Sequence, residues 1–448
     1  MPALPWVAAG APCTSCCVAP SESAPWGYHP PMQTPLDALA RYSAVRARSL
    51  WLAASLTPED QQIQAFPYAS PTKWHLAHTT WFFETFILSR WSPARAPRHA
   101  GYDVLFNSYY EGVGARFAQA QRGLLSRPRL DEVLAWRAEV DAAMADLLRG
   151  GAEPELLSLL VLGCAHEEQH QELMLTDILA NLSVNPLAPA WRDEDPAPSP
   201  AGPEPRWVSF SGGMERVGHD GPGFAFDNEG PSHRIFLEDF SLRNTLVTNG
   251  EVQAFIEAGG YEDPSPWLSD GIAWVREHGV GSPRYWRRGD DGDWRHFTLY
   301  GERPLDLAAP ATHLSAYEAD AIATWMGARL PTEFEWEVAA RRAGGEPTDA
   351  GLTEDGPVLP RSGPESSGGL AGTWGEVWAW TRSAYAPYPG YRRAEGAVGE
   401  YNGKFMANQW VLRGGSCATA PGHSRASYRN FFYLPERWQF TGVRLARR

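Results

Sequence analysis

Cysteine is scarce in this 448-residue chain: five residues, at 13, 16, 17, 164 and 417, are too few and too unevenly placed for a disulfide framework. That scarcity points to a reducing compartment. No apolar run reaches the roughly eighteen residues that a membrane-spanning helix needs, so no such helix is expected. Lys and Arg form no block and the formal charge is −14, which argues against a nucleic-acid partner and leaves small molecules as the expected partners. The first thirty residues hold no Lys or Arg and lack the basic and apolar regions of a secretory signal. A cytoplasmic protein is expected. Cys13, Cys16 and Cys17 lie in this Pro-rich, nearly uncharged stretch, and no second CxxC pair follows to complete a metal site. Residues 1–34 therefore read as a disordered leader.

The composition that is present, 43% hydrophobic and 21% charged, is that of a globular protein, and at this length two cores are expected. Residues 35–190 read as a helical bundle, in which Val133, Trp136, Val140, Met144 and Leu147 recur at spacings of three and four. An acidic, Pro-rich stretch over 191–205 can neither continue a helix nor form a core of its own, and reads as a linker. From 206 to 448 short aromatic and β-branched runs alternate with Gly, Pro and Asp, with helices expected only near 248–258 and 315–328. That half reads as a loop-rich α+β domain whose many tryptophans, Trp267, Trp378 and Trp438 among them, supply the core.

Chemistry concentrates on the helix predicted over Leu156 to Leu182, where His166 and His170 stand one turn apart, the spacing at which two imidazoles can share a metal ion. A third ligand is expected from a second helix beginning near Ser70, read as its N-cap, and Pro71, at its first position. There His75 and His78 share a face, and periodicity alone does not choose between them; Glu84, Glu167, Glu168 or Glu172 could instead complete a two-His, one-carboxylate site. His166 to His170 also satisfies the HExxH pattern of zinc peptidases, with Glu167 as the base for a metal-bound water. That rival reading leaves the Trp-rich second half without a role.

Several motifs together carry a resemblance: SPTKWHLAHTTWFFE from Ser70 to Glu84, FNSYY from Phe106 to Tyr110, RGLLSRP from Arg122 to Pro128, HEEQHQE from His166 to Glu172, LRGGS from Leu412 to Ser416, and RNFFY from Arg429 to Tyr433. From about residue 35 to its end the chain resembles the ergothioneine and selenoneine synthase family, in which a DinB-like four-helix bundle is fused to a loop-rich α+β domain of the formylglycine-generating-enzyme type, C-type-lectin-like in fold.

The resemblance implies an Fe(II)-dependent, O2-dependent enzyme with His78, His166 and His170 as the metal ligands, hercynine (Nα-trimethylhistidine) as one substrate, and a selenosugar or a thiol as the second. Tyr109 and Tyr110 resemble the family's active-site tyrosines, one of which would act as general acid. Gln169 and Asn430 resemble residues that hold hercynine, and Phe431 and Phe432 offer aromatic faces to its trimethylammonium group. Arg413 to Ser416 reads as architectural, its glycines allowing a tight turn.

Family members that take free cysteine carry an Asp and an Arg where this chain has Tyr68 and Gln119. Losing both charges disfavours a zwitterionic donor, whose charges need partners once out of water. The expectation is therefore carbon–selenium bond formation between hercynine and a 1-selenosugar, which would make the chain a selenoneine synthase; the alternative is a sulfoxide synthase of the ergothioneine pathway using cysteine or γ-glutamylcysteine. Formylglycine generation is disfavoured, since it needs a reactive cysteine pair and this half contains only Cys417.

Overall fold

The computed structural model describes residues 34–448 except 152, 346, 348–349, 355 and 394–401. Residues 1–33 of the expected leader, its three cysteines among them, lie outside the described residues, whereas Thr34, counted with the leader from sequence, is the N-cap of the first helix.

Four long helices build the first half: α1 (Pro35–Ala53), α2 (Thr72–Phe83), α3 (Leu130–Arg149) and α4 (Pro154–Ser183). The Thr34 hydroxyl caps α1 by accepting the Asp37 N–H. α1 and α2 each pack against both α3 and α4. On α3, Val133, Trp136, Val140, Met144 and Leu148 form the buried stripe, with Leu147 only partly covered. Every residue of α2 is buried, as suits a helix without a polar face. Its cap differs from the sequence reading by one position: Pro71 is the N-cap and Thr72 begins the helix. The Ser70 side chain is engaged elsewhere, accepting from Arg122 Nη1 at 2.9 Å, while the Ser70 N–H donates to Asp177 on α4.

α2 and α4 approach closely because α4 carries Gly163 at their contact. A Cβ there would stand 2.7 Å from the Phe83 ring, inside van der Waals contact. That near approach, one turn before His166, sets the distance over which side chains of the two helices can meet.

In the second half, strands Trp207–Phe210, Phe240–Leu246 and Arg444–Arg447 form one antiparallel sheet, and Asn430–Tyr433, Gln409–Arg413, Trp378–Ala384 and Thr441–Gly442 form a mixed sheet in which only the last pair is parallel. Helices Asn249–Glu257 and Ala316–Trp325 lie where the sequence placed them, and two more, Ser269–His278 and Glu333–Ala343, were not anticipated. The latter is mostly buried although rich in charge, because Arg413 reaches Glu333 Oε2 at 2.8 Å and Glu337 Oε2 at 3.1 Å. A hydrophobic periodicity cannot register a helix that buries carboxylates.

The halves share a continuous buried cluster that runs from Tyr42 and Phe83 to Trp378 and Phe440. Between them Trp191 is buried, its backbone N–H on Leu299 O and its indole N–H on Leu52 O. No described helix is long and apolar enough to cross a membrane.

Candidate metal centre

His78, on α2, meets His166 and His170, on α4, so that one ligand nitrogen from each lies within 4.8 Å of the others. All three are buried. His78 Nε2 and His166 Nε2 face each other at 3.2 Å. Two nitrogens bound about 2.1 Å from one ion, at angles between octahedral and tetrahedral, would stand ~3.0–3.4 Å apart. Hydrogen bonding fixes the tautomers that such binding needs. His78 Nδ1 donates to Phe106 O at 2.5 Å, which leaves Nε2 with its lone pair. His75 Nε2 lies 3.1 Å from Asp177 Oδ2, and His75 Nδ1 lies 2.9 Å from His170 Nδ1. With the Nε2 proton on the carboxylate, His75 Nδ1 accepts from His170, whose own Nε2 is then the metal-facing atom.

Burial, the largest cause, pushes the imidazoles toward the neutral form, and for His78 and His170 the neighbouring histidines and Arg122 add to it: His166 falls to about 3, and His78 and His170 fall well below the usual value. Neutral imidazole is the metal-binding form. The donor set, three neutral imidazole nitrogens, is therefore chemically matched to a divalent transition ion.

Aromatic side chains wall the triad. Trp74 stacks on His78 with centroids 4.7 Å apart and planes 8° from parallel, Trp81 covers the other face at 5.6 Å, and Phe82 lies 4.6 Å from His166. Arg122 sits over the outer face of Trp74, its guanidinium carbon 3.4 Å from the ring centre, and is nearly fully buried.

The carboxylates weighed as alternative ligands point elsewhere. Glu167 accepts from Arg46 Nη1 at 2.9 Å, from Ser49 Oγ at 2.6 Å and from Arg137 Nη2. Burial alone would raise its pKa, but the two guanidiniums hold it at about 2. Locked between arginines inside the bundle, it is not placed to serve a metal-bound water, which removes the geometric basis of the HExxH reading. Glu168 pairs with Arg41 and with His423 Nδ1 at 2.9 Å. Glu84 pairs with Arg95.

Glu172 accepts from three groups of the second domain, Trp378 Nε1 at 2.6 Å, Ser416 Oγ at 2.6 Å and Thr419 Oγ1 at 2.7 Å. Gln169 Nε2 donates to Tyr428 OH at 2.8 Å. One side of α4 thus docks on the second domain next to its metal-facing side. Gly414 and Gly415, both at positive φ, shape the turn that delivers Ser416.

The remaining candidates fall in three places. Tyr110 is fully buried against Trp81 and Phe86, one ring removed from His166 through Phe82, while Tyr109 meets Phe405 of the second domain at 5.4 Å. Phe431 stacks on Tyr385 at 3.9 Å and Phe432 meets Trp438 at 5.7 Å, with Asn430 leading their strand. Tyr68 and Gln119, far apart in sequence, are joined: Gln119 Nε2 donates to Tyr68 O at 2.9 Å, and the Tyr68 ring lies parallel to Trp438. Sequence reading missed Tyr428, Asp177 and the bridging part of His75. Asp177, two turns beyond His170 on the same helix, was the one with a legible signal.

Comparison with known proteins now decides the lineage. Residues 41–174 match the DinB superfamily and residues 192–448 match the sulfatase-modifying factor enzyme 1-like domain. A hercynine oxygenase of Mycolicibacterium smegmatis is 33% identical, over 85% of this chain and 91% of the relative. The chain belongs to the hercynine oxygenase family. A second hercynine oxygenase, from Mycobacterium tuberculosis, is 32% identical over 93% of this chain and 99% of its own length. A formylglycine-generating enzyme of Streptomyces coelicolor is 31% identical over 49% of this chain and 84% of its own length. This chain thus joins a helical DinB domain to a sheet-containing domain, and its hercynine oxygenase relatives mark it as an oxidoreductase.

Proposed function

We propose that the chain binds Fe(II) through His78, His166 and His170 and joins the imidazole C2 of hercynine to selenium from a 1-selenosugar, as a cytoplasmic selenoneine synthase. The organisation that goes with this reading is an iron-binding domain over 35–190, a linker over 191–205 and a second domain over 206–448. The observation that carries it is the convergence of three buried, neutral imidazoles beside the face of α4 that meets the second domain. Iron(II) held there would supply the one-electron chemistry that makes O2 usable.

The chain's own residues supply the rest. Gln169 and Asn430 orient hercynine, and Phe431 and Phe432 face its trimethylammonium group by cation–π attraction. Tyr110, or Tyr109 beside it, delivers the proton. The aromatic walls keep bulk water from the ligands.

Selenium is favoured over sulfur by the electrostatics near Tyr68 and Gln119, which present neutral groups to a donor. Of the nearby cations, Arg122 is buried between Ser70 and the Trp74 face, Arg284 lies over the Phe66 ring, and Arg116 pairs at the surface with Glu111 at 3.5 Å. A hydroxyl-rich sugar can be satisfied by neutral hydrogen bonds, and an amino-acid zwitterion is poorly satisfied by them. The second reading, a sulfoxide synthase using cysteine or γ-glutamylcysteine, is kept by the family relationship itself.

The test is an assay of anaerobically iron-loaded protein with hercynine and O2, offering a 1-selenosugar, cysteine and γ-glutamylcysteine in parallel. A selenium-bearing imidazole formed only with the selenosugar supports the proposal. A sulfoxide formed from either thiol moves the chain to the second reading, and turnover after His170→Ala would remove the metal assignment.

A further inference from the structure

Just before α2, a cluster of rings joins the two domains. Phe66 and Tyr68 come from the loop that leads into α2, and Phe432 and Trp438 from the second domain. Phe66 meets Trp438 edge to face at 5.2 Å, Phe432 meets it at 5.7 Å, and the Tyr68 ring lies 12° from parallel to it at 6.3 Å. Trp438 is buried by this packing, whereas Tyr68 is 57% exposed and offers aromatic surface that a ligand can reach. The cluster adjoins the triad: Ser70, two residues past Tyr68, donates its N–H to Asp177, the partner of His75.

Two charged groups of the second domain stand beside these rings. The Arg284 guanidinium carbon lies 4.9 Å over the Phe66 ring, and Arg284 is also the cation whose charge acts on the Glu436 carboxyl. Both residues are half-buried. Among the described residues neither forms a salt bridge, with the other or with a third group, and the Glu436 carboxyl accepts no hydrogen bond. Arg437, next in sequence, does reach a carboxylate, Glu318 at 3.0 Å. Drawing a cation and a carboxylate partly out of water without pairing them forgoes the usual compensation for their burial. They are placed to meet something else.

Burial raises the Glu436 carboxyl to about 7, against the pull of Arg284, so near neutral pH it holds a proton part of the time and can donate as well as accept. A hydroxyl does both as well. An ammonium group, in contrast, needs the carboxylate ionised. We propose that Arg284 and Glu436 recognise the hydroxyls of a neutral pyranoside whose C–H face lies on Tyr68, and so determine donor specificity in the reaction proposed above, a reading on which this inference rests. The donor is then held from both domains at once, by a ring of the first and by the charged pair of the second.

The probe is methyl 1-thio-β-D-glucopyranoside, a neutral pyranoside whose capped sulfur cannot transfer, titrated calorimetrically into the full chain with and without hercynine; S-methylcysteine is the zwitterionic control. The expected result is saturable binding of the glycoside and none of S-methylcysteine. Arg284→Met and Glu436→Ala should each weaken glycoside binding about tenfold, the loss of a hydrogen bond to a charged or partly buried group, with melting close to the wild type. Glu436→Gln, which still donates and accepts, should keep most of the affinity. In the iron-loaded assay the first two variants should raise the KM of the selenosugar about tenfold and leave kcat and the KM of hercynine unchanged. Absence of glycoside binding at millimolar concentration in both conditions would overturn the proposal, as would unchanged affinity in both folded variants. Binding of S-methylcysteine as tight as that of the glycoside would make the pair a zwitterion grip and overturn it too. A wild type that forms the selenium product while both variants keep its donor KM sinks this site and leaves the reading of the reaction standing. A wild type that turns over thiols alone, with glycoside binding still dependent on Arg284 and Glu436, does the reverse.

Discussion

Asp177 Oδ2 lies 3.1 Å from His75 Nε2, and through that contact a carboxylate two turns along α4 sets which nitrogen of His170 is left free to serve the proposed metal. Burial raises the Asp177 carboxyl, and the His75 and Ser70 N–H groups oppose that rise. Asp177→Asn should keep the fold but leave the His75 tautomer undefined, and lower metal affinity about 10- to 100-fold. Competition against a chelator, with circular dichroism as the check on folding, measures it. Unchanged affinity would mean that His75 only packs.

The metal-free protein should lose stability as pH falls from 7 to 5. In the unfolded chain the three ligand histidines titrate near the ordinary value of about 6.5, whereas in the folded chain His166 titrates at about 3 and His78 and His170 are also lowered. The unfolded state therefore takes up protons first. Stability is complete above about pH 6.5 and declines toward pH 3, by up to about 1.4 kcal/mol per pH unit for each histidine. Glu167 and Glu168, both held at about 2, contribute their change only below this interval. His296 and His313, also lowered by burial, add to the decline, while Glu376 and Glu436, raised by burial to about 7, oppose it, so the share of the triad is read from the difference between the apo wild type and His166→Asn. Urea midpoints whose difference stays flat from pH 7 to 5 would contradict the argument.

Glu167→Gln is expected to destabilise the bundle by about 3–5 kcal/mol, since it leaves Arg46 and Arg137 buried without their shared anion. The HExxH reading expects the opposite pattern, a stable protein that has lost only its base. Chemical denaturation of the variant separates the two.

Glu172→Ala should loosen the two halves rather than empty the metal site. Trp378, Ser416 and Thr419 would lose their common acceptor, at a cost of about 2–4 kcal/mol. Limited proteolysis between residues 191 and 205 should become faster than in the wild type; an unchanged rate would show that the apolar contacts suffice.

Donor choice should follow charge at two positions. Replacing Tyr68 with Asp and Gln119 with Arg in one variant places a carboxylate and a guanidinium on neighbouring, hydrogen-bonded positions. That variant is expected to gain turnover with cysteine relative to the selenosugar, read by mass spectrometry of competing products. No change in the ratio would show that selectivity resides elsewhere.

The helices of the first half and the His166–His170 pair were legible because their signals are local: i, i+4 spacing on α4 and a cap-like Ser-Pro before α2. What the sequence hid is what depends on distant partners. Nothing near residue 75 announces that it meets Asp177, and nothing near Glu333 announces that Arg413 and Arg429 will neutralise it in the core. Tyr428 escaped for the same reason, since its hydrogen-bond partner Gln169 lies 259 residues away.

Residues Glu167 to His170 also impose a constraint on length. Four consecutive positions on α4 face, in turn, the arginines inside the bundle, a pair on α1 and His423, Tyr428 of the second domain, and the metal centre. Each step around the helix is about 100°, so deleting one residue between His166 and His170 would turn every later side chain into its neighbour's surroundings. Glu172 would leave the hydroxyls it docks on, and His170 would leave His78 and His166. Substitutions in this stretch can fail one at a time, but a change in its residue count would disable metal binding, bundle packing and domain docking together, so the spacing here should tolerate no insertion or deletion.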